Sequence, residues 1–298
     1  MTKTANTVFL FVTVAASLAI VIGNTFTIFV FWKHRNRLQR TSFLLINLAV
    51  ADLLVGVSEI VMNGAVKIPV QLQESRILGA RNLDIGFFIQ AVLTAFSYAS
   101  VFFLVLISLE RAYALIWPLR HRVASLKGYI YSAIFVWAAG AALGASILLS
   151  ANGIFDFGHW IVATCCIVAL ALTLICVSYL AIRTRLANSA AAVDTSHNRE
   201  RASERIKKLS KTLFIVIFTS LACWIPSVVL YCVHSLCPEC VPFFVVGIFN
   251  LCRLVNSLLN PIVYCFRIPM FREALKQVLR RKQSKEYTVN YVPRNLIR

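Results

Sequence analysis

Seven stretches of this chain, residues 7–32, 42–66, 84–116, 129–151, 160–183, 208–233 and 241–266, are each long and apolar enough to cross a lipid bilayer. A spanning helix needs about 20 largely apolar residues, because the hydrocarbon core is roughly 30 Å thick. Inside it only helices and closed barrels satisfy their own backbone N–H and C=O groups, so runs of this length predict helices. The seven occupy most of the 298 residues and predict no separate soluble domain within them. Charge agrees, at 14% of residues against roughly 25% in soluble domains.

The net charge of +18 could suggest nucleic acid, but its distribution argues for a membrane and against nucleic acid. Segments 33–40, 111–127, 183–211 and 267–298 hold 25 of the 30 Lys and Arg residues, all on one side of a seven-span topology. The other side holds Lys3, Lys67, Arg76 and Arg81. Positive charge stays cytoplasmic, which predicts an outside N-terminus and an inside C-terminus. The basic face then meets anionic lipid head groups and whatever docks there. The first apolar stretch is too long for the core of a cleavable signal peptide, so an uncleaved signal anchor is expected.

Seven of the nine cysteines lie within spans and read as small apolar packing residues. Cys237 and Cys240 lie in the outer loop between spans six and seven. They suit a small disulfide ring, or, with His234, a metal site that lacks a fourth ligand.

Polar groups within spans are costly and mark function by default. Span one carries Asn24, span two Asp52, span three Ser100 and the terminal Glu110-Arg111 pair, and span four Trp137. Span six carries Cys223-Trp224-Ile225-Pro226, and span seven Asn256, Ser257 and Asn260-Pro261-Ile262-Val263-Tyr264. Each alone reads as packing, a kink or an interhelical bond. Their joint order does not.

That order, GN, NLAVAD, ERA, a lone Trp, CWxP and NPxxY in successive spans, resembles the class A (rhodopsin-like) G protein-coupled receptors from about residue 15 to 280. The resemblance implies an all-α membrane protein, a seven-transmembrane helix bundle with a short amphipathic eighth helix. It further implies a non-enzymatic, multi-pass plasma-membrane receptor with an extracellular ligand and a heterotrimeric G protein as partners. The receptor domain is expected over 1–283, including the amphipathic helix at about 268–281 on the inner leaflet lipid, with a cytoplasmic tail over 284–298.

By the same resemblance, Asp52, Ser100, Trp224, Asn256, Ser257 and Asn260 match an allosteric sodium pocket. A buried carboxylate ringed by hydroxyl and amide oxygens suits a small hard cation. No other cofactor is expected. Arg111 matches the cytoplasmic switch, Glu110 its resting partner, and Tyr179 and Tyr264 the pair that closes on Arg111. Pro118 and Leu119 match the inner loop that meets the G protein. Trp224 and Pro226 match the lever of span six, and Asn260 and Pro261 its counterpart in span seven.

Some family features are missing. No Cys stands at the outer end of span three or in the second outer loop, span five has no Pro, and Ala112 replaces an aromatic residue after Arg111. The short outer loop resembles the adenosine, melanocortin, cannabinoid and lysophospholipid branch. Leu93 stands where aminergic receptors place their amine-binding Asp, and Leu254 where opsins place a Schiff-base Lys. The residues do not specify a ligand.

Helical spacing places a pocket at Gln90, Leu93, Thr94 and Ser97 on span three, Val228 and Tyr231 on span six, and Phe249, Asn250 and Arg253 on span seven, or assigns the same residues to bundle core. Glu59 lies seven residues outward of Asp52, and Arg253 seven outward of Asn260. Seven residues make two turns, about 10 Å, so a Glu59–Arg253 ion pair is expected on the pocket floor. It reads either as a structural tie or as a ligand contact. Two other functions compete with signalling: a receptor-like decoy or dimer partner, and a transporter, which would need the repeated broken helices that are not seen here.

Overall fold

The structure, a computed structural model, describes residues 3–33, 39–68, 79–154, 156–191 and 243–267, together with 215, 218–220, 222–226, 228–230, 232–233, 237, 240, 271–273 and 275–276. Span one is Lys3–Lys33, span two Gln39–Met62 and span three Gly79–Ile116. A short helix, Pro118–Val123, leads to span four at Leu126–Ala151, followed by span five at Phe157–Ala191 and span seven at Phe243–Arg267. Span six is described in part, as an apolar helix within Phe218–Leu230. The chain folds as a seven-helix bundle.

Several helices outrun their apolar stretches. Hydrocarbon thickness sets the apolar length, whereas the backbone ladder can continue into water. Span five continues to Ala191, well past the apolar limit at 183. Span two gains a π-helical turn, Asn63–Lys67, directly after Met62. Its end therefore departs from uniform α-helical geometry, with a consequence for Glu59 described below.

Span three is the axis of the bundle and packs against spans two, four and five. Small residues bring spans three and four together. A Cβ on Gly140 would stand 2.6 Å from the Ala95 carbonyl oxygen, and one on Gly144 2.5 Å from that of Ala91. Such small-residue seams replace the hydrophobic effect between helices in lipid, because lipid tails are as apolar as leucine. Trp137 ties the same region to span two, its Nε1 donating to Asn47 Oδ1 at 3.1 Å. Phe11, Ile22, Phe135 and Phe266 are exposed outward, as expected for a surface solvated by hydrocarbon.

The second outer loop is a tight corner. Gly153 adopts φ +73°, Ile154 N–H bonds Leu149 O and Gly153 N–H bonds Ser150 O, each at 3.0 Å. This left-handed cap suits glycine and ends span four. Asp156 then caps span five by accepting from the His159 N–H at 3.1 Å. That backbone bond, with the His159 ring, holds the Asp156 carboxyl below the usual carboxylate range.

At the inner end, Phe271 is fully buried against Phe26, Phe31 and Tyr264. Residues 271–273 and 275–276 are helical; the rest of the amphipathic stretch expected at 268–281 lies outside the described residues.

Candidate functional site

The buried carboxylate is the centre of the bundle's polar network. Asp52 is fully buried. Ser100 Oγ donates to its Oδ1 at 2.7 Å, and Asn260 Nδ2 donates to its Oδ2 at 2.7 Å. The Ser257 hydroxyl faces the same carboxylate. Spans two, three and seven thus converge on one side chain. Asn24 joins from span one, its Nδ2 reaching Ser257 O at 3.3 Å. Asn256 is buried nearby in sequence on span seven.

This donor set suits a small hard cation. The hydroxyls and carboxylate oxygens keep lone pairs after the bonds they make, and Asn24 Oδ1 is buried without a partner.

Trp224 is buried with its ring 5.9 Å from Tyr98, and its Nε1 has no hydrogen-bond partner. Pro226 follows it on the same helical segment, half-buried. Tyr98 is a neighbour that sequence reasoning missed, because an aromatic residue in an apolar run carries no signal. Pro261 lies inside the span-seven helix and faces Gly23 of span one.

At the inner end, Arg111 Nε meets Glu110 Oε2 at 3.0 Å, as the sequence pairing anticipates. A second partner was not anticipated: His121 Nε2 lies 3.0 Å from Glu110 Oε1. His121 stands on the short helix that begins at Pro118, where Leu119 is exposed. Arg40, at the start of span two, reaches the carbonyls of His121, Arg122 and Ala124 and so holds this helix at its C-terminal end. The second inner loop is therefore tied both to the Glu110-Arg111 pair and to span two. Tyr264 is buried, its ring 5.7 Å from Phe31 and edge-on to it. Tyr179 is half-buried against the main apolar core.

In the outer half, the proposed pocket residues separate. Leu93 is core, packed with Ile20, Val55 and Leu254. Thr94 and Ser97 are buried; Ser97 Oγ bonds its own helix at Leu93 O, and Gln90 Nε2 reaches Thr94 Oγ1 at 3.5 Å. Val228 borders an apolar groove of about 340 Å³ between spans five and six. Asn250 is half-buried. Tyr231 and the side chain of Phe249 lie outside the described residues.

The expected Glu59–Arg253 ion pair does not form. Glu59 is buried and accepts from Lys67 Nζ at 2.5 Å. An unbroken α-helix would carry position 67 about 80° away from position 59. The π turn absorbs one extra residue, so Lys67 falls where position 66 otherwise would, two turns above Glu59 and nearly on its face. Arg253 is half-buried, and its Nε has no hydrogen-bond partner. In the outer loop, Cys237 and Cys240 form a disulfide. Among the described residues no cluster of three metal-ligating side chains occurs.

A bundle with this polar core and inner-end ion pair has the form of a membrane receptor. Comparison with known sequences gives the class: the 7 transmembrane receptor (rhodopsin family) profile matches residues 23–264, and the chain belongs to that family. It is similar to the octopamine receptor beta-1R of Drosophila melanogaster, 26% identical over 88% of this chain and 59% of that receptor. Trace amine-associated receptor 5 of Mus musculus is 28% identical, covering 89% of this chain and 82% of its own length. The adenosine receptor A2a of Equus caballus is 23% identical, with 94% and 74% covered. The chain thus spans about three fifths of the octopamine receptor's length, and more of the other two. The family places it among multi-pass membrane receptors, not enzymes.

Proposed function

We propose that this protein is a ligand-activated receptor that drives nucleotide exchange on a heterotrimeric G protein through movement of span six. The observation that carries the reading is the Glu110-Arg111 pair at the inner end of span three, with His121 of the second inner loop on the same carboxylate. A charged switch held by a neighbour and coupled to an exposed loop is a bistable element that a docking partner can bias. Pro118 and Leu119 offer the docking surface, and Tyr179 and Tyr264 are the groups that close on Arg111 once it is released.

Asp52, Ser100 and Ser257 would hold a sodium ion, with Asn256, Asn260 and Trp224 around it. The bound ion supplies compensating charge for the carboxylate and favours the resting arrangement. Pro226 removes one ladder bond from span six, so Trp224 and Pro226 would form the point at which that span bends. The N-terminus faces outside, and the basic inner surface meets anionic lipid. An amine ligand of the kind named for two of the relatives is disfavoured by Leu93, an apolar residue buried in the core.

The test is nucleotide exchange on purified G proteins by the receptor in lipid nanodiscs, alongside cellular cyclic AMP with and without expression. Exchange above the empty-nanodisc level supports the reading. Exchange at that level with every G protein class, in a folded receptor, favours a decoy or dimer partner instead.

A further inference from the structure

Arg253 is the one basic residue of 30 that belongs to neither the inner nor the outer set of loops and helix ends. It stands on the interior-facing stripe of span seven, three residues from Asn256 and seven from Asn260, both buried. The hydrogen bond between Asn260 and Asp52 fixes the relative level of spans seven and two. Arg253 and Glu59 each lie two turns, about 10 Å, outward of that bond. They share a level without pairing, because Lys67 takes the Glu59 carboxylate. No carboxylate of the described residues forms an ion pair with Arg253, and its Nε is buried without a partner. A guanidinium stays charged at any accessible pH, so the site carries one uncompensated positive charge.

A second orphan lies one turn further out. Asn63 is 1% exposed, and neither its Nδ2 nor its Oδ1 has a hydrogen-bond partner. It follows Glu59 by four residues, on the same face of span two and roughly 6 Å outward. Buried polar groups of this kind are almost always satisfied, so an unsatisfied one calls for an unseen partner. The half-buried Arg253 guanidinium and the buried Asn63 amide are both unpartnered; spans two and seven, which carry them, pack together, and the turn that holds Asn63 also meets spans three and one. Beside it, Val55, Leu93 and Leu254 pack with Ile20 in an apolar cluster.

We propose that the ligand of this receptor is a small organic monocarboxylate whose acid group binds Arg253 and whose second polar group, about one helical turn away, bonds Asn63. The proposal rests on the receptor reading above and gives it a ligand class. The planar fork of arginine matches a carboxylate in two parallel bonds. A monoanion balances the local charge, since Lys67 and Glu59 already cancel; a dianion would leave an excess negative charge. The sign is opposite to that of an amine ligand.

The experiment uses the full chain in lipid nanodiscs and reads thermal unfolding with benzoate, lactate and hydroxybutyrate, each beside its neutral amide, with tyramine as the cationic contrast. At least one carboxylate should raise Tm saturably by about 3 °C or more, and its amide should not. Arg253→Gln should raise the Tm of the ligand-free receptor, by removing an unpaired, half-buried cation, and should abolish the carboxylate response. Arg253→Lys should keep a response at roughly tenfold weaker apparent affinity, and Asn63→Ala should weaken it similarly. The proposal is overturned if no carboxylate shifts Tm, if tyramine acts instead, if the response survives Arg253→Gln, or if Arg253→Gln lowers Tm or abolishes folding. Nucleotide exchange on the same preparations separates the two readings: carboxylate stabilisation without exchange removes signalling and leaves the ligand class standing, and the reverse removes only the ligand class.

Discussion

Asp52 of span two and Asn260 of span seven are joined by a 2.7 Å hydrogen bond across 208 residues of sequence. With Ser100 on the other carboxylate oxygen, the bond makes spans two, three and seven one mechanical unit. Anything that changes the charge at Asp52 is therefore felt by three helices. Sodium chloride, compared with choline chloride, is expected to stabilise the receptor by about 1–1.5 kcal/mol at roughly tenfold over its dissociation constant and to lower basal nucleotide exchange. Asp52→Asn removes the charge while keeping an oxygen acceptor for Ser100. Equal sodium effects on Tm and exchange in wild type and Asp52→Asn would remove the ion from this site.

Arg111 and its partners give a second expectation. Arg111→Ala should abolish nucleotide exchange while surface expression survives, because its side chain stands partly exposed at the inner end of span three. Glu110→Gln should act in the other direction. Losing a contact of about 1 kcal/mol raises the released population roughly fivefold. His121→Ala frees only one side of the carboxylate and should raise basal exchange less. Undiminished exchange in Arg111→Ala, measured at matched surface density, refutes the switch.

The seam between spans three and four is tested by volume. Gly144→Val places side-chain atoms against the Ala91 carbonyl and Ala95, with no room to give. Overpacking of this kind costs about 1–3 kcal/mol. Surface expression and Tm should fall together, whereas Gly128→Ala, where nothing lies within 4 Å of the added Cβ, should leave both unchanged. A Gly144→Val receptor as stable as wild type would mean the helices are not in contact there.

The seven spans were legible because hydrocarbon imposes a length on each helix, and the Asp52 network because polar residues in apolar runs stand out singly. Asn47 and Trp137 belonged to recognised motifs, though their mutual bond needed the bundle to be seen. Three features were not legible. His121 reaches Glu110 only through the path of a short loop helix, which spacing along one span cannot give. Arg40 read as one more inner-loop charge, although it is the residue that holds that helix. The outer end of span two turned on a single π turn: counting seven from Asp52 held within the regular helix, but one extra residue beyond Met62 brought Lys67 round to Glu59.

That extra residue supports a final prediction, a pair of double-mutant cycles on expression and Tm. Glu59 is buried and Lys67 reaches it from a partly exposed position, so the pair should couple by about 0.5–1 kcal/mol, the range of partly screened ion pairs. Lys67→Met alone strands the carboxylate and should harm more than Lys67→Met with Glu59→Gln. Glu59 and Arg253 should be additive within about 0.3–0.5 kcal/mol, since they share no partner. Deleting one residue of the π turn, such as Ala65, should leave both results unchanged. It removes the extra residue and makes Lys67 the seventh after Glu59 in a regular α-helix, the place the π turn already gives it. Coupling between Glu59 and Arg253 in the unmodified chain would place the ion pair back on span seven and remove the role given to the π turn.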